Sequence, residues 1–213
     1  MFITKKIIND KILNKILAVT GPLDIKNGPW IAGGSARLLW YDKFNLVSKS
    51  NIHDIDIFVK DDAQFFKITK KIKNTSIFRL LFHNIQHPLI YETPNAVTYT
   101  FRHQFTYHVT YGYDIVFRLQ VIKNYGPSIT EIMDKFDLTV CKFATDGKIL
   151  IADSNAIDDV SNNVLRINNT FTGKLNAVRV TKYAAYGFDP EPKIIHTLIE
   201  QIKNNELDGK CDY

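Results

Sequence analysis

The chain has 213 residues, 45% of them hydrophobic and 12% aromatic, which suffices for a buried core and excludes a disordered or fibrous protein. The formal net charge of +5 permits a polyanionic partner such as RNA, and a Lys-rich surface would give the same excess. Only two cysteines, Cys141 and Cys211, are present, without metal-ligand spacing; with no apolar run of transmembrane length and no signal-peptide block, this predicts a reduced cytoplasmic protein with no membrane partner.

Residues 4–19 place Ile7, Ile8, Ile12, Ile16 and Leu17 at helical spacing among lysines, predicting an amphipathic helix that ends at Gly21-Pro22. Asn27-Gly28-Pro29 turns the chain into a short strand, 30–32. Gly33-Gly34-Ser35 then opens a helix to about Tyr41, and a polar loop, 47–51, leads to the alternating strand Asp54-Ile55-Asp56-Ile57-Phe58-Val59. Asp61-Asp62 starts a helix that runs to Lys73, and capping is a far commoner role for such acids than metal ligation. Strand-like pieces follow at 76–82, 96–103 and 105–111. His83, His87, His103 and His108, scattered among them, lack the i,i+4 spacing of a zinc motif and read as surface or core residues. A strong strand spans 113–122, with Arg118 and Gln120 on the face opposite Leu119 and Val121. Ser128 with Glu131 makes a capping box for a helix to Lys135. A strand over 136–143, a hairpin at 145–148 and a strand at 149–151 come next, then a short helix, 154–160, and Leu165-Arg166-Ile167. Helices over 174–186, ended by Gly187, and from Pro192 to about Asn205 close the chain. The expected fold is α+β, a mixed sheet flanked by helices over 1–168, with a short helical segment over 169–213.

Chemistry concentrates between Trp30 and Val59. Side chains alternate along a strand, so Asp54 and Asp56 share one face, about 6–7 Å apart, while Ile55 and Ile57 enter the core. Two such carboxylates repel unless a cation sits between them, and a divalent, oxygen-preferring ion, most simply Mg²⁺, is the candidate. Gly33, Gly34 and Ser35 offer backbone N–H groups and a hydroxyl to a phosphate. A phosphate site beside a metal site suggests a nucleotide. Taken singly, a Gly-Gly pair is usually a turn and an Asp-x-Asp strand is often a solvated face.

The order strand, Gly-Gly-Ser, helix, loop, Asp-h-Asp-h-h, where h is apolar, resembles the polymerase-β-type nucleotidyltransferase superfamily. Arg37, three residues after Gly34, is similar to the Gly-Gly-x-x-Arg form of CCA-adding enzymes and bacterial poly(A) polymerases. Asp137-Leu138-Thr139-Val140 resembles their Arg-Asp-Phe-Thr stretch, and the run from Arg179 to Phe188 resembles their helix leaving the catalytic head. This resemblance covers roughly 30–60 and 135–190. It implies a nucleotidyltransferase head, 1–168, with a remnant neck, 169–213.

The resemblance further implies metal-dependent transfer of a nucleoside monophosphate from a nucleoside triphosphate to an acceptor hydroxyl, with an RNA 3′ end as the expected acceptor. Two Mg²⁺ ions would be held by Asp54, Asp56 and Asp137, with Asp114 the rival for the third carboxylate. Gly33, Gly34, Ser35, Arg37, Arg179 and Lys182 would bind the nucleotide. The alternatives are transfer to a protein or small-molecule hydroxyl, and a catalytically degenerate module of the same fold. For Arg37, Arg179 and Lys182, a solvated helix face is the bland counterpart.

Overall fold

The computed structural model describes residues 1–6, 11–41, 54–73, 88–104, 114–123 and 126–204. The expected strands 76–82 and 105–111, the loop 47–51, His83, His87, His108 and Cys211 lie outside the described residues. Within them the chain forms a mixed α/β fold: an eight-stranded mixed sheet, a two-stranded sheet and seven helices.

The first element is β1 (Phe2–Lys6), followed by α1 (Lys11–Thr20). The single helix expected over 4–19 is therefore corrected at its start. Residues 2–6 pair antiparallel with β8 (Ile149–Asp153), register Phe2↔Asp153, a partner that local periodicity cannot reveal. After α1 come β2 (Trp30–Ala32), α2 (Gly34–Trp40), β3 (Asp54–Phe58) and α3 (Asp62–Lys73). Asp61 caps α3 by accepting from the Gln64 N–H at 2.9 Å. Strands β4 (Leu89–Glu92), β5 (Ala96–Gln104) and β6 (Asp114–Ile122) follow. The first of these escaped the sequence reading because all four of its residues are exposed, leaving no alternation to detect.

Ser128 accepts from the Glu131 N–H and donates to its carboxylate, starting α4 (Ile129–Asp134). The strand expected over 136–143 is a second correction. Leu138 makes one isolated bridge to Ile167, Thr139–Cys141 turn as a 3₁₀ helix, and only β7 (Phe143–Thr145) is extended. Phe136 through Asp146 are all buried, so the apolar run reflects burial rather than strand periodicity. Next come α5 (Ser154–Ser161), β9 (Val164–Leu165), α6 (Ala177–Ala185), β10 (Asp189–Pro190) and α7 (Pro192–Lys203). Helix α6 starts three residues later than expected because Asn176 caps it, accepting from the Arg179 N–H.

Strand order in the large sheet is β1-β8-β7-β2-β3-β6-β5-β4. Strands β3 and β6 pair in parallel; the other neighbours are antiparallel. Each face of the sheet has its own core. Ile55, Ile57, Leu119 and Val121 pack with Leu13 and Ile16 of α1 and Phe65, Ile68 and Ile72 of α3. Trp30, Ala32, Phe58 and Ile122 pack with Ile132 of α4, Val180 and Tyr183 of α6, Phe188 and Ile194. Burying each large apolar side chain contributes about 1.5–3 kcal/mol, so both layers anchor the central strands.

Candidate functional site

The alternation of β3 sends Ile55 and Ile57 into the first core and leaves Asp54 and Asp56 on the face of α6. Register supplies their neighbours. Asp54 lies beside Arg118 and Asp56 beside Gln120 on parallel β6, and Ala32 of β2 lies opposite Asp56. Arg118 Nη1 stands 3.5 Å from Asp54 Oδ1, and Lys182 Nζ of α6 stands 3.9 Å from Asp54 Oδ2. Gln120 turns to Thr98, donating to its hydroxyl at 2.9 Å.

Asp54 Oδ1 and Asp56 Oδ1 are both shut off from solvent without a hydrogen bond among the described residues. A buried acceptor in that condition costs about 1–3 kcal/mol, more when charged. Burial, and secondarily the charge of Asp54, raises the Asp56 carboxyl to about 7, against the opposing pull of Arg179 and Lys182. Two half-buried carboxylates, each with one oxygen shut off from solvent and without a hydrogen bond among the described residues, with cations at long range, are a donor set of the kind a hard divalent ion takes.

The glycine turn closes one side. Gly33, at φ +84°, brings the backbone beside the Asp56 carboxylate: a Cβ there would stand 3.8 Å from Asp56 Oδ2. The Gly33 N–H donates to the Phe143 carbonyl at 2.9 Å. A Cβ on Gly34 would stand 3.8 Å from the Tyr183 hydroxyl. The Ser35 hydroxyl donates to the Asp54 carbonyl at 2.5 Å and ties the first turn of α2 to the start of β3. Arg37 is buried, its guanidinium 5.1 Å from the Tyr183 ring centre and 5.0 Å from that of Phe188. That is a cation–π arrangement joining α2 to α6. Among the described residues Arg37 Nη1 makes no hydrogen bond.

Arg179 connects the site to Asp137. Its Nη2 lies 3.1 Å from Asp137 Oδ1 and donates to Cys141 Sγ at 3.4 Å, while its charge acts on Asp56. Asp137 Oδ1 also accepts from the Leu138 N–H at 2.9 Å, so this carboxylate holds Arg179 in place. The Cys141 thiol, pushed up by burial, is 3.1 Å from the Tyr183 hydroxyl. Among the described residues no three His, Cys, Asp or Glu side chains form a metal-holding group. Asp114 opens β6 four residues before Arg118, about 13 Å along the strand from the level of Asp54. Arg118 was missed as a site residue; its sequence signal was a lone cation in an apolar strand, and its meaning depends on the parallel register.

Among the described residues no helix is long and apolar enough to cross a membrane. No curated protein matches the chain. A protein-family model described as "Gabija anti-defense 2 family protein" matches residues 3–163. This finding overturns the resemblance to the polymerase-β-type nucleotidyltransferases and to the head of CCA-adding enzymes and poly(A) polymerases. With it falls the assignment of nucleotidyl transfer to an RNA end. The misleading signals were short: a glycine turn beside a two-carboxylate strand is a local solution that unrelated chains reach, and the resemblance left out residues 61–134, which the family match includes. With 3–163 matched, the chain belongs to the Gabija anti-defense 2 family.

Proposed function

We propose that this protein counteracts Gabija defence, and that it does so through the Asp54–Asp56 face, which binds a divalent cation, most simply Mg²⁺, together with a phosphate-bearing ligand such as a nucleoside triphosphate. The family description supports the first half of this reading. The observation that carries the second is the pair of buried, unbonded oxygens, Asp54 Oδ1 and Asp56 Oδ1, with Arg118, Arg179 and Lys182 around them. Asp54 and Asp56 would hold the cation, which would offset their mutual repulsion and present positive charge to an anion. Arg118 and Lys182 are partly exposed and face the same anion. Asp137 orients Arg179. The buried thiol of Cys141 supports a reducing compartment, the cytoplasm, as the place where the protein acts.

The test is a plaque assay on bacteria that carry a Gabija system. Expression of the wild-type chain should restore plaques of a phage that the system blocks. The double variant Asp54→Asn/Asp56→Asn, present at the same soluble level, should not. If wild type restores nothing, the anti-defence reading falls; if the double variant restores plaques fully, the assignment of the site falls.

A further inference from the structure

We propose that Arg118 and Lys182 are built-in occupants of the ion site: they hold Asp54 while no divalent ion is bound, and they turn to the phosphate groups of the ligand once one is. This rests on the reading of the Asp54–Asp56 face given above and concerns how that face is regulated.

Three observations carry it. First, the two cations come from different layers, β6 and α6, and approach different oxygens of the same carboxylate, at 3.5 Å and 3.9 Å. Neither is a close hydrogen-bonded contact, for which about 2.7–2.9 Å is usual. Second, both cationic side chains are substantially exposed, 42% for Arg118 and 47% for Lys182, so each can leave without opening the core. Third, Asp56 Oδ1 has no such occupant and makes no hydrogen bond among the described residues. The ion pairing on this face is thus loose, movable and confined to Asp54, while Arg179 and Lys182 act on Asp56 from longer range. Arg179 is different. It is anchored by Asp137 and Cys141 and stays in place as a fixed positive charge.

A divalent ion competes with the protein cations for Asp54, because it coordinates oxygens that they approach and repels them. Binding of the ion therefore frees two positive groups at the mouth of the site. An anion that arrives afterwards meets them unpaired. The ion and the phosphate ligand then bind with positive coupling, each favouring the arrangement the other needs. The device also lowers affinity for a bare ion, since Arg118 and Lys182 compete with it.

Opposite effects of one substitution on two ligands test the proposal. Arg118→Gln and Lys182→Gln keep a polar, hydrogen-bonding side chain and remove the charge. Mn²⁺ binding is read by electron paramagnetic resonance, and inorganic triphosphate binding in excess Mg²⁺ by calorimetry, with a thermal melt of each variant. Each variant should bind Mn²⁺ about two- to fivefold more tightly than wild type, as expected for loss of one solvent-screened competing pair. Each should bind triphosphate more weakly by at least a similar factor. Unchanged or weaker Mn²⁺ binding in both folded variants overturns the inference and leaves the ion site standing. Absence of Mn²⁺ binding by the wild type overturns the ion site itself.

Discussion

Asp159 and Asp56 both hold carboxylate oxygen away from water, and the protein treats them in opposite ways. Asp159 of α5 accepts the Thr139 hydroxyl on one oxygen and the Arg166 guanidinium on the other. Its neighbours in the same half of the molecule are equally well supplied. Asp153 caps α5 through the Asn155 N–H and lies 3.6 Å from the buried Lys142 ammonium. Asp146 accepts three backbone N–H groups, from Ile25, Lys148 and Ile149. Asp54 and Asp56, on the central strand, each keep a buried oxygen without a hydrogen bond among the described residues. Folding energetics favours the first arrangement, since an unmet buried acceptor destabilises the native state. A carboxylate with all its partners belongs to the fold; one without them is poised for something that arrives later.

The largest test of this contrast is Asp159→Ala. It leaves Thr139 and Arg166 without their partner and should lower the unfolding free energy by about 3 kcal/mol, at the lower end for a broken buried pair because Arg166 is half exposed. Urea unfolding measures it. Asp56→Asn should cause no loss, and a loss at Asp56 as large as that at Asp159 would abolish the distinction.

The next effect depends on pH. The Asp56 carboxyl titrates at about 7 in the fold against a reference of 3.8, so between those values the folded state binds more protons than the unfolded one. Stability contributed by neutral Asp56 is therefore complete below about pH 4 and is lost as pH rises through about 7. Asp56→Asn should gain at least about 1 kcal/mol over wild type at pH 8 and nothing at pH 4. Thermal melts at both values decide it, and a gain independent of pH would remove burial of the charge as its cause.

Mg²⁺ should act on the second region and leave the first untouched. At roughly ten times its dissociation constant it should raise stability by about 1.4 kcal/mol at pH 8. Asp56→Asn should lose that gain, and Arg166→Gln should keep it. The smallest effect expected is at Lys73, whose exposed pair with Glu92 spans 3.2 Å. Lys73→Ala should change stability by less than about 0.5 kcal/mol, which sets the scale for a charge pair belonging to neither region.

Local rules carried the sequence reading where structure is local. The Asp54-to-Phe58 alternation, the Ser128 capping box, the Asp61 cap and the turn before Ile149 all stand in the structure, because each depends on residues within four positions. The failures have long-range causes. Phe2–Lys6 is a strand only because residues 149–153 pair with it, and Phe136–Phe143 looked like a strand because every residue there is buried. Arg118 was legible as a cation on the right face of its strand, but its place beside Asp54 follows from parallel pairing across a long crossover. The placement of Arg37 against Tyr183 and Phe188 required knowing that α2 and α6 meet. The family resemblance erred for the opposite reason: it rested on short local motifs.

The pairing of β1 with β8 also has a consequence in time. Residue 2 joins residue 153, so β1, once synthesised, waits for a partner made about 150 residues later. At about 5–20 residues per second that delay is roughly 7–30 s. Throughout it the segment presents unpaired backbone N–H and C=O groups to other nascent chains. Thr4, Lys5 and Lys6, three polar residues in a row, are the kind of sequence that discourages such pairing. At this edge the sheet closes only after β8 has been made.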